Sequence, residues 1–174
     1  IGVTGVQTCA LPISIEYISI FDDILDQNLL QVSKNIISLC KHISQIKNPI
    51  LISLARAGTP YGVSIKRNLE KYFKIQSTHY SISIVIDKGI DIYALNTIVQ
   101  KHGIDCSFIF IDGWTGKGTI NAELRKSIEK YNSSLNYQFI VLSDIAGVAD
   151  FAATNDDYII PSSLLNSKIG RAHV

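Results

Sequence analysis

The sequence predicts an α/β domain of three layers, in which helices cover both faces of a mostly parallel sheet. Apolar segments of strand length alternate along the chain with amphipathic segments of helical length, and this order is typical of βαβ units. One segment, Phe108–Ile111, is continuously apolar, as expected for a strand that is buried on both faces. Hydrophobic residues make up 47% of the chain and charged residues 18%, which indicates a packed globular domain rather than disorder.

The first half of the chain is predicted to contain a helix, a strand, a second helix and a second strand. Apolar residues recur at helical spacing over 24–45, and the Asn48-Pro49 pair ends that helix. The apolar run 50–54 predicts a short buried strand, which a loop of small residues follows. Pro60 suits a first helical turn and predicts a helix to about residue 72, and alternation over 79–86 predicts a half-buried strand.

The second half is predicted from the same patterns. The elements are a helix over 91–102, a strand over 108–111, a helix over 119–131, and strands over 137–142 and 158–160. Asp91 and Thr119 stand at the starts of the two helices and have side chains that can accept hydrogen bonds from the first free N–H groups. Both are therefore predicted to be N-caps.

The two ends of the chain are predicted not to belong to the domain. Segments 8–13 and 169–174 can be encoded by DNA strings that are reverse complements apart from a shift of one base, and that pair is the sequence of a common short-read sequencing adapter. We therefore interpret residues 1–13 and 169–174 as translated adapter, and residues 14–168 as one truncated domain. This interpretation leaves three residues without a function, namely Cys9, Arg171 and His173.

Composition argues against several classes of protein and site. The chain has 16 Lys and Arg residues against 15 Asp and Glu residues, so it lacks the basic surface of a nucleic-acid binder and no nucleic-acid partner is expected. No apolar stretch reaches the roughly 20 residues that span a bilayer, so no membrane contact is expected. Cys40 and Cys106 form neither a pairing pattern nor a CxxC motif, which argues against a disulfide framework or zinc site and favours a reducing, cytoplasmic setting.

The segment Phe108–Ile120, FIFIDGWTGKGTI, gives the strongest indication of a ligand site. Apolar residues lead to an acid at the strand end, and a loop rich in Gly and Thr leads on into a helix. Gly113, Gly116 and Gly118 would let backbone N–H groups approach an anion, and the helix N-terminus adds about half a positive charge. The sequence therefore predicts a phosphate-binding loop here.

Polar side chains in the same loop are of the kinds that bind a phosphorylated ribose. Thr115 and Thr119 could donate hydroxyl hydrogen bonds, and Lys117 could add a positive charge. Asp112, directly before the loop, could accept hydrogen bonds from two ribose hydroxyls.

Other interpretations of the loop were compared with this one. A Walker A motif needs a Lys that is followed directly by Ser or Thr, whereas Lys117 precedes Gly118. A dinucleotide fingerprint needs the order GxGxxG after the first strand, whereas the order here is GxxGxG. A glycine-rich turn that binds no ligand remains an alternative for the loop taken alone.

A second candidate anion site follows the first predicted strand. In SLARAGTPYG, Arg56 lies at the strand end and Ala57 and Gly58 come next, so an anion could bind backbone N–H groups beside the guanidinium. The alternative is that Arg56 makes only a surface ion pair, which stabilises little. Ligands of parallel α/β sheets bind at the carboxyl ends of strands, so both loops are expected at one edge of the sheet.

The two loops together resemble those of type I phosphoribosyltransferases. FIFIDGWTGKGTI is similar to that family's phosphoribosyl-binding loop, and LARAGTP is similar to its pyrophosphate loop. More narrowly, four segments resemble a bacterial phosphoribosyltransferase-like family that is encoded with tellurite-resistance and stress operons, and some of its members are labelled StiP-type cysteine proteases. In chain order the segments are LARAGTPYGVSIKR, HYSISIVIDKGID, FIDGWTGKGTI and DDYIIPSSLLNS.

The resemblance implies the type I phosphoribosyltransferase fold, with phosphoribosyl pyrophosphate as the ligand and Mg²⁺ as the cofactor. It implies that Asp112 binds the ribose and is the catalytic residue, that Thr115–Thr119 bind the 5-phosphate, and that Arg56–Gly58 bind the pyrophosphate. Gly113 and Trp114 belong to the same phosphoribosyl loop, where Trp114 is expected to cover the ribose.

The function expected from this resemblance is that of a cytoplasmic phosphoribosyltransferase in a stress-associated metabolite pathway. Usual members carry two adjacent acids before the loop, whereas here Asp112 is followed by Gly113. The missing carboxylate weakens the expectation of transfer chemistry more than that of ligand binding. Two alternatives stay open, a non-catalytic sensor of a phosphoribosyl nucleotide and glycosidic cleavage in the phosphorolytic direction. Further partners considered are a second copy of the chain and other enzymes of the same operon.

The label of cysteine protease raises the question whether Cys40 or Cys106 could be a catalytic nucleophile. A cysteine nucleophile needs a base within hydrogen-bond reach and an oxyanion hole. Cys40 is predicted on an apolar helix face and Cys106 before a buried strand, while His42 points to a different helix face from Cys40. From the sequence, both cysteines are therefore expected to be core residues, and the chain is expected to have no protease activity.

Overall fold

A computed structural model describes residues 15–158 and places helices on both faces of a six-stranded sheet. The helices are α1 (Ile15–Ile43), α2 (Thr59–Asn68), α3 (Ile92–His102) and α4 (Thr119–Asn132), and a π-helical turn (Leu69–Phe73) continues α2. The strands are β1 (Pro49–Ala55), β2 (Thr78–Val85), β3 (Gly89–Ile90), β4 (Ser107–Trp114), β5 (Tyr137–Ser143) and β6 (Phe151–Thr154).

The strands lie in the order β3-β2-β1-β4-β5-β6, and every pair is parallel except β2 with β3. The predicted mostly parallel sheet is therefore confirmed. The chain order reverses between β1 and β4, where Ser53 is paired with Ile111. A reversal of this kind separates the loops that leave the two strands and opens a crevice at their carboxyl ends. The fold thus provides a ligand position next to Ala55 and Asp112.

Two apolar cores form because successive side chains of a strand point to opposite faces. Phe108 and Phe110 belong to the core beneath α3 and α4, whereas Ile109 and Ile111 belong to the core beneath α1 and α2. All four side chains are fully buried. The predicted burial of β4 on both faces is confirmed. Because the strand is packed from both sides, Asp112 and the loop after it are held at a fixed position.

Several element boundaries differ from the prediction. Helix α1 begins at Ile15 rather than at residue 24, and β4 continues through Asp112 and Gly113 to Trp114. Strands β3 and β6 were not predicted, because β3 has only two residues and β6, with the sequence FAAT, is half-buried along its length. Tyr158 lies outside any strand, and the remainder of the predicted 158–160 strand lies outside the described residues. The two predicted adapter segments also lie outside them.

Within residues 15–158, no helix combines the length and the apolar character needed to cross a membrane.

Candidate functional site

The loop that leaves β1 is packed tightly against the end of β4. The N–H group of Gly58 donates to the carbonyl oxygen of Leu54 at 2.9 Å, and the peptide bond between Ala55 and Arg56 is cis. A Cβ atom added at Gly58 would overlap the carbonyl oxygen of Ile111 and lie 2.9 Å from that of Leu54. Only glycine fits this position, and its contact with Ile111 brings the 56–58 loop beside Asp112.

A polar pair of one buried and one partly buried side chain lies behind this loop. The Ser53 hydroxyl and the His79 Nε2 atom are 2.7 Å apart on neighbouring strands, and a Cβ added at Gly62 would overlap both groups. Burial, followed by the positive charge of Lys66, lowers the pKa of His79. The absence of a side chain at Gly62 therefore lets α2 pack directly over a hydrogen bond between β1 and β2.

Asp112 lies in β4, two residues before the strand ends at Trp114, and its side chain is buried, with 8% exposure. Its Oδ1 atom accepts a hydrogen bond from the N–H group of Gly113 at 2.7 Å. Burial raises the pKa of Asp112 to about 7, and the hydrogen bond from Gly113 offsets only part of that rise. A polar ligand that reached this carboxylate would replace some of the hydration that burial removed.

The 115–118 loop follows, and its backbone conformation depends on glycine. Gly116 and Gly118 have φ angles of 56° and 79°, which disfavour residues with a side chain. The N–H group of Gly118 donates to the carbonyl oxygen of Thr115 at 2.9 Å. Within residues 15–158, the N–H groups of Gly116 and Lys117 have no hydrogen-bond acceptor. These two N–H groups are free for an anion.

Helix α4 begins directly after this loop, and its start differs from the prediction. The N-cap is Gly118, no side chain caps the helix, and Thr119 is the first helical residue. The prediction that Thr119 is the cap is therefore wrong, because the left-handed glycine makes the turn into the helix. Without a capping side chain, the first N–H groups of α4 keep their partial positive charge for a ligand.

Asp144, at the end of β5, holds the 115–118 loop from the other side, and the sequence analysis missed it. Its carboxylate accepts from the N–H groups of Val148 at 3.1 Å and Ala149 at 2.8 Å. Burial raises the pKa of Asp144, but the N–H groups of Ala149 and Val148 and the hydroxyl of Thr115 outweigh it, so the pKa lies below its ordinary value. Thr115 also accepts from the N–H group of Ala146 at 3.2 Å. The Thr115 hydroxyl is thus used within the protein rather than being free for phosphate.

Residues of α4 hold the 144–150 loop in place. The Asn121 amide and the Arg125 guanidinium both donate to the carbonyl oxygen of Val148. Arg125 also forms an ion pair with Asp150 at 2.9 Å, and the other Asp150 oxygen accepts from the N–H group of Phe139. The 115–118 and 144–150 loops therefore form one connected structure over the carboxyl ends of β4 and β5.

The predicted site residues lie at the carboxyl edge of the sheet, but they differ in exposure. Arg56 and Lys117 are exposed, and Trp114 is 38% exposed. The Trp114 ring lies against Gly116, where an added Cβ would be 3.1 Å from the Cζ3 atom of Trp114. Trp114 therefore packs over the glycine-rich loop and can report on changes there.

The carboxylates near the site do not fit a protein-held Mg²⁺ ion. Asp112 is followed by Gly113, and both oxygens of Asp144 accept hydrogen bonds from backbone N–H groups. Across the described part of the chain, no group of three or more His, Cys, Asp or Glu side chains could hold a metal ion. Since Mg²⁺ is bound through charged oxygen ligands, the expected cofactor has little support from these side chains.

Neither described cysteine has the surroundings of a nucleophile. Burial raises the pKa of Cys40 to about 12, and its Sγ atom donates to the carbonyl oxygen of Ile65. The Sγ atom of Cys106 donates to the backbone carbonyl oxygen of His102 at 3.2 Å. A nucleophilic cysteine needs its thiolate form and a base. Burial disfavours the thiolate of Cys40, and the partner of Cys106 is a backbone carbonyl oxygen rather than a base.

The fold and the placement of the loops define a domain with the type I phosphoribosyltransferase fold. Three solved structures share it, each with a TM-score of 0.50. A purine phosphoribosyltransferase from Pyrococcus horikoshii is 17% identical, and the match covers 75% of this chain and 87% of that one. A xanthine-guanine-hypoxanthine phosphoribosyltransferase from Helicobacter pylori is 13% identical over 71% and 79% of the two chains. A protein from Neisseria gonorrhoeae, solved with bound ppGpp, is 11% identical over 73% and 80%.

The chain belongs to the StiP family, described as tellurite-like stress resistance cysteine proteases, whose model matches residues 8–171. The protein "Cysteine protease StiP" of Acinetobacter baylyi is 38% identical over 157 residues, which are 88% of this chain. The chain spans 40% of the length of that relative. The predicted family membership is confirmed.

The predicted enzyme class is wrong. The family and the relative are both described as cysteine proteases, which overturns the assignment as a phosphoribosyltransferase. The expectation that the chain has no protease activity is also in conflict with the description of its family as cysteine proteases. The likeness to phosphoribosyltransferases, at 17% identity or less, concerns the fold alone.

Proposed function

We propose that the described domain binds a ligand with a phosphorylated ribose and thereby controls a cysteine protease of the StiP family. The ligand class comprises phosphoribosyl pyrophosphate and nucleotides. The observation that carries this proposal is the packing of Gly58 against Ile111, which brings two candidate anion loops to the same crevice of the sheet. Two loops that open onto one crevice can bind two parts of one small molecule.

The phosphate group would bind to the 115–118 loop. The N–H groups of Gly116 and Lys117 have no hydrogen-bond acceptor within residues 15–158, and α4 begins without a capping side chain. A phosphate there would accept hydrogen bonds from these N–H groups and from the first turn of α4. The exposed Lys117 side chain would add a positive charge.

The ribose would bind beside Asp112. When ionised, this carboxylate accepts hydrogen bonds only, which suits a pair of ribose hydroxyls. Asp112 lies near the end of β4, one residue after the contact with Gly58, and thus between the two loops. Trp114 would cover the bound ligand from the solvent side, because its ring already packs over Gly116.

Proteolysis by the whole protein is part of the proposal, and we place the nucleophile outside the described residues. This location is supported by the buried thiol of Cys40 and by the bonding of Cys106, whose partner within residues 15–158 is a backbone carbonyl oxygen. It is also consistent with a chain that spans 40% of the length of its relative. The ligand-binding domain would then report a stress-related metabolite to a protease, in keeping with the description of the family.

The experiment that tests ligand binding uses Trp114, the single tryptophan of the chain. The full chain is titrated with phosphoribosyl pyrophosphate and with GMP while tryptophan fluorescence is recorded. A saturable change is expected, and Asp112→Asn should weaken it about tenfold or more because a charged acceptor is lost. The control is Asp105→Asn, an exposed acid before β4, which should leave binding unchanged. No fluorescence change with any ligand, in a protein shown to be folded by circular dichroism, would refute the proposal.

A further inference from the structure

We infer that the site recognises a ribose that carries one phosphate, and that it binds this ligand without a divalent metal ion. This inference rests on the proposed function and narrows it to a metal-independent class that includes ribose 5-phosphate and nucleoside 5′-monophosphates. It departs from the resemblance to phosphoribosyltransferases, which implies Mg²⁺ and a pyrophosphate ligand.

The first observation concerns the number of carboxylates that could face a metal. Asp112 lies two residues before the end of β4, and Asp144 directly follows the neighbouring strand β5. Both Asp144 oxygens accept hydrogen bonds from the 144–150 loop, and the carboxylate also accepts from Thr115. Binding a metal through Asp144 would break the contacts that hold the 115–118 loop, so Asp112 is left alone.

The second observation concerns Asp112 itself. Its side chain is almost fully buried, and one of its oxygens accepts from the N–H group of Gly113. The bond from Gly113 already uses one carboxylate oxygen, and burial leaves little room for the several oxygen ligands and waters that Mg²⁺ requires. The residue that follows is Gly113, so no adjacent acid supplies a second carboxylate for a metal ion.

The third observation concerns the positive groups that would neutralise a ligand. The 115–118 loop offers two free N–H groups, the start of α4 and Lys117, which together match the charge of about two on one phosphate group. The 56–58 loop offers one charged side chain, Arg56, for a second anionic group. A pyrophosphate carries more negative charge than one cation balances, and it normally reaches a protein together with Mg²⁺.

The test measures affinity by titration calorimetry of the full chain with four ligands, each with magnesium chloride and with EDTA. The ligands are ribose 5-phosphate, AMP, GMP and phosphoribosyl pyrophosphate. We expect at least one monophosphate to bind with a Kd that magnesium changes by less than about twofold. We also expect phosphoribosyl pyrophosphate to bind no more tightly than the best monophosphate. Ribose 5-phosphate and the nucleotides distinguish recognition of the sugar phosphate alone from recognition that needs a base.

Two outcomes would contradict the inference in different ways. Binding of phosphoribosyl pyrophosphate that magnesium strengthens about tenfold or more, with weaker monophosphates, would overturn metal independence while leaving the proposed function intact. Failure of all four ligands to bind a folded protein would remove the proposed function as well. Asp112→Asn adds a second check, since it should weaken monophosphate binding equally with magnesium and with EDTA. If Asp112→Asn weakened ligand binding only in the presence of magnesium, Asp112 would be shown to bind a metal ion.

Discussion

Gly58 packs against the carbonyl oxygen of Ile111, with no room for a Cβ atom between them. This contact joins the loop after β1 to the strand that leads to Asp112. The position of the 56–58 loop relative to the 115–118 loop therefore depends on one missing methyl group.

Substitution of Gly58 by alanine should destabilise the protein by roughly 1–3 kcal/mol, because the new methyl group must displace backbone atoms of β1 or β4. Ligand affinity should fall as well, since the two loops are forced apart. Chemical denaturation measures the first effect and fluorescence titration the second. The comparison is Gly103→Ala, which has no atom within 4 Å of the new Cβ but carries the backbone cost, roughly 1–3 kcal/mol, of φ 87° and ψ 152°. Equal effects of the two substitutions on ligand binding would argue against a specific role for Gly58.

Stability should fall as the pH rises from about 4 to about 7, because of Asp112. Its folded-state pKa of about 7 lies above the ordinary value of 3.8, so the folded protein binds more protons than the unfolded chain in this window. The slope from this one group is at most roughly 1.4 kcal/mol per pH unit. Asp112→Asn should remove that slope and be more stable relative to the wild type at pH 8 than at pH 5. Urea denaturation of both proteins at several pH values measures the difference, and parallel pH profiles would contradict it.

Asp144→Ala should cost about 2–4 kcal/mol of stability, because the buried N–H groups of Val148 and Ala149 lose their acceptor. It should also weaken ligand binding, since Thr115 loses its partner and the 115–118 loop loosens. Asp144→Asn keeps one oxygen acceptor and should have an intermediate effect on both quantities. Denaturation curves and titrations of the two variants provide the test. A loop that binds ligand normally in the alanine variant would show that Asp144 has no part in shaping it.

Cys40 should react with a thiol reagent only when the protein unfolds. Its thiol is buried, and its pKa of about 12 leaves almost no thiolate near neutral pH. Cys106 is partly exposed and should react in the folded protein. Alkylation followed by peptide mass spectrometry distinguishes the two sites, with a denatured sample as the control. Rapid modification of Cys40 in the native protein would contradict its burial and reopen its assignment as a nucleophile.

The sequence was sufficient to predict those elements that are deeply buried. The continuous apolar run of β4 and the alternation of β2 follow directly from how strands pack, so both were predicted. Strand β6 is a short edge strand of half-buried small residues, and its formation depends on pairing with β5 rather than on its own pattern. Helix α1 begins earlier than predicted because its first turns expose Ile15 and Ile18, so burial gives no regular signal there.

The site was predicted in part for a similar reason. The candidate site residues fall into two short segments, one with Arg56 and Gly58 and one with Asp112 and the glycines of the next loop. Their residue types alone indicate anion binding. Asp144 was missed because its role depends on contact with Thr115, which is distant in sequence. One signal was available, since Asp144, like Asp112, follows a run of apolar residues of strand type and comes shortly before a glycine. The burial that raises the pKa of one acid, and the N–H groups that lower that of the other, could be seen only in three dimensions.

The central claim is that a phosphorylated ribose binds across the 56–58 and 115–118 loops. The most direct test is to follow backbone amide signals of the isotope-labelled full chain by NMR while GMP, and then phosphoribosyl pyrophosphate with magnesium, is added. We predict that the largest shifts occur at Gly116 and Lys117, whose N–H groups would gain an acceptor, with a second group of shifts around Gly58. Unchanged signals for both loops in a well-folded protein, or shifts confined to another surface, would contradict the claim.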